Sequence, residues 1–503
     1  MSSMFPAVFR FLLVLFFAAG FSFAKGAPRF AGIFSDHAVL QRDGEIPVWG
    51  WGADADSKLT VRLGDLEEVA KIYDDGRWNV SLPPQKANSE GMSLVLLSEQ
   101  KETDRLDDVL IGEVWLAAGQ SNMQFQVKGM LKGMPETQEW VDSADEPLIR
   151  YRRIGDSVLS DRKAEAVDLA PGGAWIPMTP ESVLGFSAVA AGFARELGGE
   201  LGVPIGIIDV SWGGKPIEPF IPREAFDSAL LKKIRGLADR EALEELAKLR
   251  GGVVIRNPEG YPGAIFNSRM APIVPLRLRG FLWYQAESNA GKGEDPREYR
   301  EKMAALLDGW RGRWDNHKMP CYFVQLPGFP PAVGWIRVRE EQRRALVIPY
   351  TGMAVTIDIP GDDIHPPDKL PVSERLARLA LSQTYGREIV PSGPLYQSHE
   401  VMGKEVRVQF LHAESGLMID EGEGGGVLRW FELAGEDGIW HEAEARAEGM
   451  KIIVSSDQVE RPREVRYACT TKPLGGNLFN RAGLPASPFC SKLEWLPWDD
   501  VRE

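Results

Sequence analysis

The pattern of apolar and polar positions divides the chain into three zones, and the first of them reads as short β-strands. Apolar or alternating runs separated by turn residues occur at 46–50, 59–63, 78–82 and 93–97. Strands of this length and spacing are typical of a β-sandwich. We therefore predict an N-terminal β domain over residues 30–107.

In the second zone, wholly apolar runs alternate with helical stretches. The apolar runs lie at 114–118, 205–210, 281–284, 322–326 and 353–359. Runs of this kind are expected of parallel strands that are covered on both faces. Stretches 225–249 and 296–310 have helical character, and in the second one apolar residues fall on a single face. The alternation predicts an α/β domain with a doubly wound parallel sheet over residues 108–390.

The third zone and the first residues complete the domain plan. Short strand patterns return at 406–410 and 450–454, with a Gly-rich acidic run at 421–426 between them, and predict a C-terminal β domain over residues 400–499. Residues 1–24 resemble a signal peptide, with Arg10 ahead of an apolar run and small residues before the cleavage site. No later run reaches the roughly 18 apolar residues of a membrane span. We expect a secreted or periplasmic protein without a membrane span.

The amino-acid composition argues against one class of binding partner. Lys and Arg number 58 against 72 Asp and Glu, and this net charge of -14 argues against nucleic-acid binding, which depends on neutralising phosphates. Three cysteines are an odd count for an exported protein. Cys469 and Cys490 could pair or stay reduced, whereas Cys321 opens an apolar run and is expected in the core. The oligomeric state is left open.

Polar side chains follow four of the apolar runs in the middle zone. The segments are 119–123, 211–215, 285–289 and 362–366. Because ligands in open α/β sheets bind beyond the carboxyl ends of the strands, these segments are expected to share one site. They supply a serine, glycines, amides and an acid–histidine pair, which together are the groups needed for acyl transfer by serine.

The predicted nucleophile is Ser121 and the predicted base is His365. A serine hydroxyl needs a base to remove its proton, and His365 is the one histidine of six that follows a strand of the middle zone. Asp362 is the acid expected to orient His365, and Asp363 is the second candidate for this role. The alternatives are that Ser121 only caps a helix, or that the acidic loop is a solvated surface. No H-E-x-x-H motif or cysteine cluster suggests a metal, so neither metal nor cofactor is predicted.

The expected oxyanion donors are the N–H groups of Ser121 and Gly214, with a side-chain amide from Gln285 or Asn289. A glycine can bring its N–H close to a substrate because it lacks Cβ. Residues 213–215 also resemble part of a phosphate loop, but the spacing of that motif is absent.

Segments 119–123, 283–289 and 363–366 resemble, in this order, the three signature blocks of the sialate O-acetylesterase family of SGNH-type carbohydrate esterases. The similarity extends over nearly the whole mature chain. It implies an SGNH hydrolase core flanked by N- and C-terminal β-sandwich-like regions, and removal of O-acetyl groups from sialic acid or a related glycan. It implies Ser121 as nucleophile and His365 as base, with Glu287 as another possible partner of the histidine.

The chain departs from the family pattern at two positions, with Ala286 in place of glycine and Lys215 in place of threonine. Other functions stay open: an acetyl xylan or pectin esterase, or a non-catalytic glycan-binding protein on an esterase scaffold. A glycoside hydrolase would need two carboxylates on either side of one bond, for which Asp362, Asp363 and Glu287 are candidates.

Overall fold

The computed structural model describes residues 27–498, with the exception of residues 160, 162, 229, 238, 241–259, 292–293, 331–333, 360–362, 421–425 and 474. The predicted signal peptide, Asp362, nearly all of the acidic run and part of the predicted helix 225–249 lie outside the described residues. Within that helix, residues 230–237 and 239–240 are helical. No helix in the described part of the chain is long and apolar enough to cross a membrane.

The N-terminal zone consists of short strands, and all four predicted ones are present. In chain order the strands are β1 Arg29–Phe30, β2 Val39–Gln41, β3 Ile46–Trp51, β4 Leu59–Leu63, β5 Leu66–Val69, β6 Lys71–Ile72, β7 Trp78–Leu82, β8 Asn88–Ser98 and β9 Lys101–Gly119. Strands β1, β3, β7 and β6 form one antiparallel sheet. Strands β4 and β5 and the long hairpin of β8 and β9 extend the central sheet.

Strand β9 joins the first two zones without a break. It spans 19 residues, pairs with β8 in its first half, and enters the central sheet in its second half. The boundary predicted between residues 107 and 108 therefore falls inside one strand. Core residues of both zones also belong to one hydrophobic cluster, for example Val48 and Trp78 with Val114 and Trp283.

The central sheet is mostly parallel. Its remaining strands are β10 Glu146–Arg153, β11 Ile176–Met178, β12 Ile205–Asp209, β13 Gly280–Tyr284, β14 Cys321–Val324 and β15 Thr351–Ala354. The order is β11-β10-β12-β9-β13-β14-β15, with β11 antiparallel and the others parallel to their neighbours. The predicted α/β class with a parallel sheet is confirmed. The chain leaves β9 to one side and later returns to its other side, so a switch point lies at the carboxyl end of β9, where ligands bind in such folds.

Helices connect these strands. The α-helices are α1 Ser121–Gln124, α2 Val127–Gly133, α3 Gln138–Asp142, α4 Ala188–Leu201, α5 Tyr299–Arg313, α6 Gly334–Arg344 and α7 Leu370–Gln383. Short 3-10 segments occur at Pro135–Thr137, Ser182–Gly185, Glu218–Phe220, Arg223–Ala225, Ala271–Ile273, Glu287–Asn289, Pro296–Glu298, Ala345–Val347 and Leu493–Trp495, and a π-helical turn at Phe266–Met270. The apolar face predicted for 296–310 is confirmed, because its five apolar residues are buried: Tyr299, Met303, Leu306, Leu307 and Trp310.

The C-terminal zone is again made of short strands around its own hydrophobic cluster. The strands are β16 Leu395–Met402, β17 Glu405–Leu411, β18 Leu417–Ile419, β19 Phe431–Ala434, β20 Trp440–Glu442, β21 Glu444–Glu448, β22 Lys451–Ser455, β23 Glu464–Tyr467, β24 Leu478–Asn480 and β25 Phe489–Cys490. They form two antiparallel four-stranded sheets and one two-stranded sheet. Buried Gln325, just after β14, donates to the Ser487 hydroxyl at 2.9 Å and ties this zone to the core. All three cysteines are buried with free thiols, and Cys321 lies in the core as predicted.

Candidate active site

The nucleophile candidate stands at the carboxyl end of the central strand. Ser121 begins α1 directly after β9. Gly119 has a φ of 135°, and a Cβ there would lie 2.0 Å from the carbonyl oxygen of Tyr284 in β13, so this position requires glycine. The N-cap of α1 is Gln120 and not Ser121, which removes the capping alternative. Ser121 Oγ instead lies 2.7 Å from His365 Nε2.

His365 lies in the loop after β15 and is partly shielded from solvent. Its ring stacks on Phe125, with centroids 6.4 Å apart and an interplanar angle of 18°. Burial and the nearby Lys369 cation lower the pKa of His365, whereas Asp363 opposes this shift. The imidazole is therefore neutral at neutral pH and can accept a proton from Ser121.

The two described carboxylates that were considered as partners of the histidine do not hydrogen-bond to its Nδ1. Asp363 Oδ1 lies 3.8 Å from Nδ1, and its side chain is 73% exposed. That oxygen instead accepts the main-chain N–H of His365 at 3.1 Å. Glu287 is buried, and its Oε1 accepts from Asn122 Nδ2 at 2.6 Å.

Of the two glycines after β12, Gly213 lies beside the nucleophile. An ideal Cβ on Gly213 would be 3.4 Å from Ser121 Cβ, which places this backbone in contact with the serine. The N–H of Gly213 donates to Gln124 Oε1 at 2.7 Å and is occupied. Gly214 is exposed, with a positive φ of 68°.

Gln285 and Asn289 are buried and hydrogen-bonded within the protein. Gln285 Nε2 donates to Gln120 Oε1 at 3.0 Å and to Asn289 Oδ1 at 2.9 Å. Asn289 Oδ1 also accepts the N–H of Ile217 at 2.9 Å, and its Nδ2 donates to Glu218. Because their amide hydrogens already have protein acceptors, the two side chains connect the strand ends and do not serve as free oxyanion donors here.

A pocket of about 360 Å³ opens at Ser121 and His365, which is within the usual size range of small-molecule sites. The rest of its lining comprises Gln124, Phe125, Gln126, Tyr151, Arg153, Gly185 and Asp209. Arg153 lies 3.0 Å from Asp209 Oδ1 and 2.7 Å from Asp156 Oδ1. The Tyr151 hydroxyl donates to the same Asp209. The pocket wall is therefore polar, and its arginine is paired with two carboxylates.

Comparison with known proteins decides the family. Residues 111–381 match the family model described as a carbohydrate esterase, sialic acid-specific acetylesterase. The sialate O-acetylesterase of Homo sapiens is 30% identical over 419 residues, which cover 74% of each chain, and that of Rattus norvegicus is 29% identical over 431 residues, covering 75% of this chain and 77% of its own. A crystal structure of a carbohydrate acetylesterase from Xanthomonas citri has a TM-score of 0.81 and 32% identity, covering 92% of this chain and 99% of that one. The chain belongs to the sialic acid-specific acetylesterase family of carbohydrate esterases. It is accordingly a carboxylic ester hydrolase.

The two departures of this esterase from the family pattern have visible structural settings. Ala286 is fully buried, with a φ of 145°, a backbone conformation that glycine adopts easily and alanine does not. The methyl group therefore strains the turn that leads out of β13. Lys215 is half-buried, with Nζ 5.4 Å from the centroid of the Trp212 ring.

We expect Ala286→Gly to stabilise the esterase. Release of a strained conformation is worth about 1 to 3 kcal/mol, and the added flexibility of glycine in the unfolded chain offsets about 0.5 to 1 kcal/mol. The free energy of unfolding, measured by urea denaturation, should rise by about 1 kcal/mol. Ala290→Gly is the matched control, because Ala290 has a φ of -103° and should lose stability. A lower stability of Ala286→Gly would contradict the interpretation.

Several residues of the site were not predicted from the sequence as functional. Tyr151, Arg153 and Asp209 line the pocket, and Asn122 and Lys369 lie behind the Ser121–His365 pair. The sequence position of Asn122 could have indicated a functional role, because it adjoins the nucleophile within the first family-like segment. No sequence feature indicated a role for Lys369, since a lysine normally lies at the surface.

Proposed function

We propose that this esterase removes O-acetyl groups from sialic acid or a related glycan by a Ser-His-Asp acyl-enzyme mechanism. The observation that carries the proposal is the 2.7 Å distance between Ser121 Oγ and His365 Nε2 at a polar pocket beyond the carboxyl end of the central strand. The names of its relatives support acetylated sugars as the substrate class. The signal-like segment 1–24 supports action outside the cytoplasm, as a secreted or periplasmic enzyme.

In the proposed reaction, His365 takes the proton of Ser121 as Oγ attacks the acetyl carbonyl carbon. The N–H groups of Ser121 and Gly214 stabilise the negative charge on the carbonyl oxygen. The bond between the acetyl carbon and the sugar oxygen then breaks, His365 gives its proton to that oxygen, and the sugar leaves as an alcohol, with Ser121 acetylated. Water, deprotonated by His365, attacks the acetyl carbonyl and releases acetate, and the proton returns to Ser121. The scheme requires no cofactor.

Asp362 remains the proposed orienting acid for His365, because it precedes the histidine by three residues in the sequence. Gln285 and Asn289 are proposed as supports for the glycine segment and not as direct donors. This role follows from their bonds, since Gln285 Nε2 also approaches the Lys215 carbonyl at 3.2 Å and Asn289 holds the Ile217 N–H.

An acetate-release screen tests the proposal. O-acetylated sialic acids, acetylated xylan and acetylated pectin are incubated with the enzyme and with Ser121→Ala, and acetate and reducing sugars are measured. We expect acetate from the sialic acids with the wild-type enzyme and none with the variant. Release from xylan or pectin alone would overturn the sialate assignment. Reducing-sugar release would indicate a glycoside hydrolase, and binding without turnover a glycan-binding protein.

A further inference from the structure

A buried lysine lies behind the Ser121–His365 pair and takes no part in the reaction proposed above. Lys369 is 1% exposed and immediately precedes α7. Its Nζ lies 2.5 Å from Asn122 Oδ1, and 5.1 Å and 5.5 Å from the ring centroids of Phe125 and Tyr284. The ammonium group is therefore held by an amide oxygen and two aromatic faces in place of water.

Asn122 connects this lysine to both reacting residues. It follows Ser121 in the chain, and its Nδ2 donates to the carbonyl of Ile364 at 2.9 Å, the residue before His365. The same Nδ2 donates to Glu287 Oε1 at 2.6 Å. Its Oδ1 accepts from Lys369, so both the nitrogen and the oxygen of the amide are hydrogen-bonded. This one amide therefore joins the start of α1 to the loop that carries His365. A shift of Lys369 would therefore be transmitted to the distance between Ser121 and His365.

Several titratable groups influence the charge of Lys369. Burial lowers the pKa of Lys369 to about 7. Glu287, Asp368 and Asp363 act in the opposite direction and favour its charged form. Glu287 is buried, and its Oε2 makes no hydrogen bond within the described part of the chain. Burial raises the pKa of Glu287, against the effects of Asn122 and the Lys369 cation. The Lys369 cation in turn adds to the effect of burial in lowering the pKa of His365.

We propose that Lys369 is a positioning residue of this esterase, which holds Ser121 and His365 together through Asn122 and places a cationic group near the imidazole. The proposal rests on the proposed function, because it assigns a role relative to that reaction. The two groups share a neighbour, since the Phe125 ring lies against both His365 and the ammonium group. Lys369 does not line the substrate pocket and acts through its neighbours.

Two neutral variants separate the hydrogen bond from the charge. Lys369→Met loses both, and Lys369→Gln keeps a donor for Asn122 but loses the charge. We expect kcat for p-nitrophenyl acetate to fall about 10- to 100-fold in Lys369→Met, as misplaced reacting groups do, and by less in Lys369→Gln. The acidic limb of the pH profile of kcat/KM should move to higher pH in both, because a repelling cation near His365 is gone.

The control is Arg311→Met, which removes a buried cation at the opposite edge of the sheet. Arg311 is 5% exposed and donates to the carbonyls of Met319 and Pro349, ahead of β14 and β15. It should lose stability without any shift of the acidic limb. An equal shift in Arg311→Met, or an unshifted limb in a folded Lys369→Met or Lys369→Gln, would overturn the proposal.

Covalent labelling by a fluorophosphonate separates failure of this proposal from failure of the proposed function. If wild-type Ser121 is not labelled, the serine mechanism itself is wrong. If it is labelled, the acidic limb of the labelling rate should lie at higher pH in Lys369→Met and Lys369→Gln than in the wild-type enzyme, because the cation that helps to lower the pKa of His365 is gone. A limb at the same pH in the wild-type enzyme and in a folded variant would overturn the role of Lys369.

Discussion

Replacement of Ser121 by alanine should abolish ester hydrolysis and leave the fold intact. The change removes the atom that attacks the acetyl carbon, and loss of a catalytic serine lowers kcat by at least about 10⁴-fold. Within the described part of the chain Ser121 Oγ makes one hydrogen bond, to His365, so the cost in unfolding free energy is about 1 kcal/mol. Hydrolysis of p-nitrophenyl acetate and thermal unfolding, measured on the same preparation, check both parts.

The matched control for this experiment is Ser382→Ala. Ser382 is also a half-buried serine with one hydrogen bond, to the carbonyl of Ile389, but it lies on α7 away from the pocket. It should retain wild-type turnover. Hydrolysis by Ser121→Ala near the wild-type rate, or fluorophosphonate attached to a different residue in the wild-type enzyme, would remove Ser121 from the mechanism.

Replacement of Glu113 by glutamine should have the second largest effect, on stability. Glu113 is fully buried in β9, and its two carboxylate oxygens lie 2.6 Å from Arg42 Nε and 2.6 Å from Arg279 Nε. Gln41 Nε2 donates to it at 3.0 Å. The carboxylate thus joins the N-terminal strands to the segment before β13. A neutral amide removes the buried countercharge that both guanidinium groups share, although Arg42 keeps Asp43 at 3.5 Å, and we expect a cost of about 3 kcal/mol.

Urea denaturation measures this loss, with Glu67→Gln as the control. Glu67 lies exposed on β5, where such a substitution should change stability by less than about 0.5 kcal/mol. Glu113 precedes Ser121 by eight positions, and most of this span is β-strand at about 3.3 Å per residue. The KM of the folded Glu113→Gln variant should therefore be that of the wild type. A stability equal to that of Glu67→Gln would show that the buried carboxylate is not an important link.

The strands of the central sheet were predictable where they are wholly apolar, and two others, β10 and β11, were missed. Strand β10 alternates apolar residues with arginines, and Arg150 and Arg152 are nevertheless buried. Arg150 reaches Asp108 at 2.8 Å, and Arg152 reaches the Gly32 carbonyl at 2.8 Å. Both partners come from distant parts of the chain. A sequence pattern treats arginine as a surface residue, and the tertiary structure supplies the acceptors that allow its burial.

The sequence alone showed which residue types follow the strands, and these residue types indicated the chemistry of this esterase. Ser121 and His365 each follow an apolar run, and parallel strands bring their carboxyl ends to one edge, so two residues 244 positions apart could be expected to meet. The class of reaction and the family followed from the same segments.

Tertiary structure alone decided how the groups around this pair are used. It placed Lys369 in the interior against Asn122, and it occupied the amide hydrogens of Gln285 and Asn289 with internal bonds. It also placed Asp363 too far from the histidine ring for a hydrogen bond. The physical reason is that a side chain's burial, charge and hydrogen bonds depend on which distant segment faces it, and local patterns of apolar and polar residues carry no record of that partner.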